Sequence, residues 1–517
     1  MMTTKNENAA FWFVERHRDT PLSTKTAFRE AVPEGRSLSY GELAQQTDRV
    51  VGLLAQHGVR REERAAMLVL DTIEFPMIFW GCLKAGVVPV PLNTLLSTDV
   101  YNAILRDSRA RILFVSAPLL EVVAPALSSN PYLETVVVIG GDGVGEYLNF
   151  GKELEVAAPG SLVEVSADDT AFWLYSSGST GTPKGVRHVH SALRATVDTY
   201  GVQVLGIAES DVVFSAAKLF FAYGLGNGMT FPMSVGATTI LYPLRPTPDA
   251  MFQVIAETEP TIFCGVPTLY AAMCAAMGQE KPAGTGRLRR AISAGEALPA
   301  EIGQHWRRVV GTDIMDGVGS TEMLHIFLSN TPGNVEYGTS GTAVPGYELR
   351  LVDDDGAEVG VDEIGELLVN GPSAADGYWN QRAKSRATFE GVWTHTGDKY
   401  HRRADGRLVY CGRTDDLFKS SGIWVSPFEV EQALITHPAV LEAAVVAHRD
   451  PEGLEKPKAF IVLKDGASAD GLEMALKDLV KEKIGKWKYP RWIEVVEELP
   501  KTATGKIQRF KLRNRCT

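Results

Sequence analysis

Three features of the 517-residue sequence predict an α/β fold class. Short β-branched runs recur through the first half, at residues 65–70, 111–115, 134–140, 170–176, 211–215, 237–242 and 260–265. Between many of them lie segments whose apolar residues return every three to four positions, as on one face of a helix. From about residue 340 the texture shifts to turn-rich strands and then to an α+β tail. Strand alternating with helix argues for buried, mostly parallel sheets. The expected architecture is a large N-terminal domain of two α/β subdomains plus a small β subdomain, followed by a mobile α+β C-terminal domain.

The helical pattern is clearest in "YGELAQQTDRVVGLLAQHGV", where Leu43, Val50, Leu53 and Leu54 share a face. "GYELRLVDDDGAEVG" and "IGELLVNGPSAADGYWN" predict the small β subdomain. The tail reads as a helix near 427–437, strands "AAVVAH" and "AFIVLK", a helix near 470–484, and "WIEVVEELP". The domains are placed at 1–413 and 414–517. Their junction around Thr414–Asp416 is short and charged, so it reads as a hinge rather than a tether.

Composition narrows the function. With 45% hydrophobic and 22% charged residues, the chain suits a soluble protein with more than one core. A net charge of −11 argues against nucleic acid as a partner, because phosphate neutralisation favours a basic surface. No run of 18 apolar residues predicts a membrane span, and the N-terminus lacks a secretory apolar centre. Five cysteines without a CxxC spacing point to a reducing cytoplasm rather than a disulfide framework or structural zinc. His188 and His190 form the one close histidine pair. They read as ordinary strand or loop residues, not metal ligands. Both a monomer and a homodimer remain open.

One stretch stands out: "YSSGSTGTPKGV", residues 175–186. Glycines let backbone N–H groups converge on an anion, hydroxyls add donors, and Lys184 adds charge, so phosphate binding is the functional reading. The plain alternative is a flexible surface loop. A Walker A loop fails on spacing, since Pro183 and Gly185 occupy positions the pattern reserves for other residues. "YGLGNGM" (223–229) puts Met229 where a dinucleotide fingerprint needs glycine, and reads as a turn.

The stretch resembles the signature loop of the adenylate-forming superfamily, which includes acyl- and aryl-CoA synthetases, peptide-synthetase adenylation domains and firefly luciferase. Five further motifs follow in that family's order: "GVGSTEM" (317–323), "GYWN" (377–380), "WTHTGD" (393–398), "GRTDDLFKSSG" (412–422) and "PKTATGKIQR" (500–509). The resemblance implies ATP, Mg²⁺ and coenzyme A as co-substrates and cofactor. Ser176, Ser177, Gly178, Ser179, Thr180, Gly181, Thr182 and Lys184 would wrap the ATP phosphates, with Thr321 beside them. Thr180 and Glu322 resemble the family's magnesium contacts, both hard oxygen ligands. For Glu322 alone, the alternative is a carboxylate at a helix N-terminus. Asp398 resembles the acid that accepts the ribose hydroxyls, and Arg413 a second ribose or phosphate contact. Asp415 fits the hinge; Lys419 and Gly422 fit the segment that turns toward the site for thioester formation. Lys506 resembles the adenylation lysine, set between the attacking carboxylate and the α-phosphate.

"KLFFAYGLGNG" and "GSTEMLHIFLSN" look like the versions in benzoate-type CoA ligases. The resemblance makes Ala222, Tyr223, Gly319, His325 and Ile326 the candidates for an aryl-acid pocket, with Tyr223 and His325 alternatively satisfied core residues. "FSAAKLFFAYG" lacks the aspartate with which amino-acid-activating members hold a substrate ammonium. The implied reaction is activation of benzoate or a substituted benzoate to acyl-AMP, then thioester formation with coenzyme A. The runner-up is an acyl-AMP-forming enzyme for another carboxylic acid, or one that passes acyl-AMP to another acceptor such as a carrier protein.

Overall fold

The seven β-branched runs all become strands. A computed structural model describes residues 7–515 apart from 129, 142–144, 146, 178–182, 415, 421–422, 452–453, 486–487 and 502–506. Six of the runs enter two largely parallel sheets. In the first, Val88–Pro91, Arg64–Leu68, Ile112–Ser116, Thr135–Ile139 and Leu148–Asn149 pair in that order, all parallel. The second has nine strands. Its parallel centre runs Ile314–Gly319, Arg290–Ala294, Ile262–Gly265, Val212–Ser215, Thr238–Leu241 and Thr26–Glu30. Antiparallel edges are added by Ile326–Ser329 and Thr342–Ala343 on one side and Ser37–Ser39 on the other. Every residue of Ile112–Ser116 and of Ile262–Gly265 is buried, as expected of parallel strands covered by helices on both faces.

The seventh run forms a hairpin. Thr170–Ser177 pairs antiparallel with Pro183–Val189, which also takes Gly377–Tyr378 on its other edge. The helix Tyr40–Gln56 begins with a capping box between Ser39 and Glu42, and Leu43, Val50, Leu53 and Leu54 are all buried.

By packing, the chain divides into two compact units. One comprises Met1–Tyr337, Gly341–Glu348 and Val369–Thr394; the other comprises Gly338–Ser340, Leu349–Leu368 and His395–Thr517. The second unit holds most of a small five-stranded sheet of Glu348–Val352, Ile364–Asn370, Phe389–Glu390, Trp393–Arg402 and Leu408–Arg413. Beyond it, Val440–Arg449, Glu455–Leu463 and Trp492–Val495 form a three-stranded sheet. Helices Pro427–Ile435 and Leu472–Ile484 pack on that sheet through Val430, Leu434, Leu476 and Val480. The side chain of Arg509 forks onto Glu431 at 3.1 and 2.7 Å and reaches Asp416 at 3.4 Å.

One sequence expectation is overturned. "YGLGNGM" is not a turn but part of a buried helical stretch: α-helix Ala222–Leu225, a wider π-helical piece Gly226–Thr230, then α-helix Phe231–Val235. The glycines are there for close approach. A Cβ on Gly226 would stand 2.4 Å from the His325 ring, and one on Gly224 would stand 2.0 Å from the Lys218 carbonyl oxygen. A local pattern of glycines cannot distinguish that use from a turn.

Helix Glu74–Ala85 is anchored through a buried ammonium. Lys84, with 2% of its side chain exposed, is ion-paired to both Glu15 and Asp48. Without Lys84, Glu15 and Asp48 are left to share the single cation Arg18, at 2.9 Å from each. Lys84→Met is expected to lower unfolding free energy by about 3 kcal/mol, read by denaturant titration.

Candidate active site

The stem of the glycine-rich loop is over-determined. Tyr175 and Gly185 are cross-strand partners, followed by Ser176 with Lys184 and Ser177 with Pro183. The Tyr175 hydroxyl donates to Asp107 Oδ2 at 2.6 Å. Trp379 donates its backbone N–H to the Gly185 carbonyl at 2.8 Å and its indole N–H to the Asp107 carbonyl at 2.9 Å. The two strand ends that carry the loop are therefore tied to the C-terminal end of helix Thr98–Ser108, which bears Asp107. Ser176 Oγ is buried without a hydrogen-bond partner among the described residues, which suits a hydroxyl that serves a ligand. Gly178, Ser179, Thr180, Gly181 and Thr182 lie outside the described residues, as does the Ser177 side chain.

Glu322 does not begin a helix. It sits in the turn between strands Ile314–Gly319 and Ile326–Ser329, half-buried, with Thr321 beside it. The Tyr378 hydroxyl donates to Glu322 Oε1 at 2.8 Å, and Lys184 Nζ lies 4.8 Å from the centroid of the same tyrosine ring. The structure thus brings Lys184, on the loop's outgoing strand, to the neighbourhood of Glu322 through Tyr378. "GYWN" signalled this tyrosine only as part of a motif; its hydroxyl role is visible only once Gly377–Tyr378 pairs with Val186 and Arg187.

The aryl-pocket candidates also converge. Tyr223 donates its hydroxyl to the carbonyls of Gly265 and Ile292 at 3.1 and 3.0 Å, which pins the ring against two central strands. Its ring centroid lies 6.0 Å from that of His325, and Ala222 precedes it at the start of the helix. Ile326 is buried, and Gly319 lies so near that a Cβ there would stand 2.6 Å from the His325 carbonyl oxygen. His325 is packed among Phe231 at 4.6 Å and Tyr200 at 5.1 Å. Asn227 Nδ2 lies 3.3 Å from His325 Nε2 and also donates to the Tyr223 carbonyl at 3.0 Å. Burial pushes the His325 imidazole down to about 3, so the ring is neutral at ordinary pH.

Tyr200, Asn227 and Phe231 escaped the sequence reading. Asn227 follows Tyr223 by four residues, a helical spacing that the turn reading of the glycines concealed. The Tyr200 hydroxyl, Asn227 Oδ1 and His325 Nδ1 are buried without partners among the described residues.

In the second unit, Asp398 and Arg413 are cross-strand partners, and Arg413 Nη1 donates to Asp398 Oδ1 at 3.1 Å and to the Thr396 carbonyl at 3.0 Å. Lys419 lies on the short strand Phe418–Ser420. Its side chain, and Asp415, Gly422 and Lys506, lie outside the described residues. His188 lies near the end of strand Pro183–Val189 with its ring stacked on Phe172 at 5.0 Å, and His190 accepts from the Ala9 N–H at 3.1 Å.

Comparison with known proteins decides the family. The AMP-binding enzyme family matches residues 13–379, and the AMP-binding enzyme C-terminal domain matches residues 429–506. The chain belongs to the AMP-binding enzymes. It is 53% identical to a 4-hydroxybenzoate–CoA/benzoate–CoA ligase of Rhodopseudomonas palustris, over 99% of this chain and 95% of the relative. It is 52% identical to a benzoate–CoA ligase of Thauera aromatica, over 98% and 96%. A benzoate CoA ligase structure from Burkholderia xenovorans LB400 is similar with a TM-score of 0.89 at 48% identity, covering 98% of this chain and 100% of that one. The adenylate-forming assignment and the two-sheet α/β architecture are thereby supported.

Burial holds His188 and His325 at about 3, far below the 6.5 of a free imidazole. Below pH 6.5 the unfolded chain takes up protons that the native chain refuses, so stability present above that pH is lost as pH falls toward 3. His188→Phe is expected to flatten this acid slope by up to about 1.4 kcal/mol per pH unit. Melting temperatures of the two proteins between pH 7 and 4 provide the check.

Proposed function

We propose that this AMP-binding enzyme is an aryl–CoA ligase that converts benzoate or a ring-substituted benzoate to its coenzyme A thioester. Benzoate, MgATP and coenzyme A go in; the thioester, AMP and pyrophosphate come out. The observation that carries the substrate reading is the wall of Tyr223, His325 and Ile326. His325 and Ile326 lead into the strand that returns from the Glu322 turn, and Tyr223 meets them from helix Ala222–Leu225, its ring 6.0 Å from that of His325. Flat walls with a few polar tips suit a planar aryl carboxylate.

A neutral His325 keeps fixed positive charge out of the ring-binding wall. The carboxylate is then held by cations placed beyond that wall, where it must meet the α-phosphate. Ser176 and Lys184, with residues 178–182, hold the ATP phosphates by backbone amides, hydroxyls and charge. Asp398 receives the ribose hydroxyls, and Arg413 orients Asp398. Lys506 places its ammonium between the carboxylate and the α-phosphate, offsetting their repulsion as the P–O bond to pyrophosphate breaks. Losing such a charge is expected to cost about 10²–10³ in rate.

Glu322 offers the kind of hard carboxylate oxygen that suits a magnesium ion. Among the described residues no group of three or more His, Cys, Asp or Glu side chains could hold a metal. An ion there would draw most of its ligands from phosphate oxygens, as Mg²⁺ does, with Glu322 and Thr180 supplying hard oxygens. Bound Mg²⁺ supplies charge neutralisation on the phosphates. The thiol of coenzyme A then displaces AMP from the acyl-AMP. Rotation about Asp415 is proposed to exchange Lys506 for the Lys419–Gly422 segment between the two steps, moving residues 414–517.

With benzoate, ATP and coenzyme A, purified protein is expected to form benzoyl thioester and AMP in equal amounts, read by chromatography. Pyrophosphate exchange without thioester in the presence of coenzyme A would sink the ligase assignment. Lys506→Ala is expected to lose at least about 10²-fold in adenylate formation. The same variant should largely retain thioester formation from supplied benzoyl-AMP; equal loss in both half-reactions contradicts its role.

A further inference from the structure

The turn that presents Glu322 is gripped by a segment distant in sequence. Ser373 Oγ donates to the Met323 carbonyl at 2.7 Å, and the Ala375 N–H donates to the Glu322 carbonyl at 2.8 Å. The third bond is the Tyr378 hydroxyl on Glu322 Oε1 at 2.8 Å. Two of these bonds fix the backbone. The third fixes the carboxylate itself, and it is the one such bond that a structural clamp does not need.

Tyr378 is itself held from several sides. It pairs with Val186 in the strand that leaves the glycine-rich loop, and its backbone N–H donates to Ser385 Oγ at 2.9 Å. Its ring packs against Phe389 at 5.5 Å and is buried. Lys184 Nζ stands 4.8 Å from its centroid. A buried ring this constrained aims its hydroxyl in one direction. A carboxylate that accepts one hydrogen bond on Oε1 keeps the lone pairs of Oε2 for another partner.

We propose that Tyr378 is a positioning residue: its hydroxyl holds the Glu322 carboxylate so that Oε2 is presented to the divalent cation that accompanies ATP. The ring gives Lys184 and Glu322 a common reference, so the loop cation and the metal carboxylate keep a fixed spacing. The proposal rests on the reading of Glu322 as a metal contact. Partners that orient a ligating carboxylate set metal affinity without touching the metal.

Tyr378→Phe deletes the hydroxyl and keeps the ring. It is expected to weaken Mn²⁺ binding to the enzyme–ATP-analogue complex by about tenfold or more, read by electron paramagnetic resonance. It should likewise raise the free Mg²⁺ needed for half-maximal pyrophosphate exchange, with near wild-type rate restored at saturating Mg²⁺ and little change in the KM for benzoate. Ser385→Ala loosens the same strand but keeps the hydroxyl, so its Mg²⁺ dependence should match wild type. Equal shifts in both variants, or none in Tyr378→Phe, would overturn the proposal. Glu322→Gln separates the underlying reading: unchanged Mn²⁺ binding in that variant removes Glu322 as a metal contact, whatever Tyr378 does.

Discussion

Two anions must be brought together for this reaction, and their mutual repulsion is the constraint around which the residues are arranged. The chain as a whole is acidic, with a net charge of −11, so the attraction has to be local. Lys184 on the phosphates, Arg413 on the ribose carboxylate Asp398 and Lys506 between the two anions are the proposed cations, and each comes from a separate segment. What the described residues display is the frame for the first two. Lys184 is registered against Ser176 across a hairpin, and Arg413 against Asp398 across another. Antiparallel pairing fixes each charge relative to its neighbour without a long flexible path.

The larger unit also separates two environments within a few residues of chain. At Glu322 the surroundings are polar, with a tyrosine hydroxyl on the carboxylate. Three residues later His325 is buried beside the Tyr200 and Phe231 rings and kept neutral. One strand pair therefore carries both a polar carboxylate turn and a largely apolar stretch. The antiparallel return at Ile326–Ser329 is what allows this, because Ile314–Gly319 is otherwise the last of the parallel strands.

Much of this was legible in the sequence. The β-branched runs at 65–70, 111–115 and 260–265 are strands because runs without alternation suit sheets buried on both faces. Leu43, Val50, Leu53 and Leu54 declared their helix by spacing alone. The helical path through Gly224 and Gly226 was hidden, because the rings and carbonyls that require those glycines come from Lys218 and from the distant His325. The same distance hid Tyr200 and Phe231, whose contacts with the His325 ring arise from packing and leave no local signal. The carboxylate at 322 is recognisable by motif, whereas the hydroxyl that donates to it depends on strand pairing 56 residues downstream.

Following oxygen atoms gives the most direct test that the carboxylate attacks the α-phosphate. Benzoate labelled with ¹⁸O in both carboxylate oxygens should, after turnover with ATP and coenzyme A, leave one ¹⁸O in the phosphoryl group of AMP. Mass spectrometry of the nucleotide reads this outcome. Label absent from AMP, or found in a phosphate product released alongside ADP, would contradict an acyl-AMP route and the charge arrangement built around it.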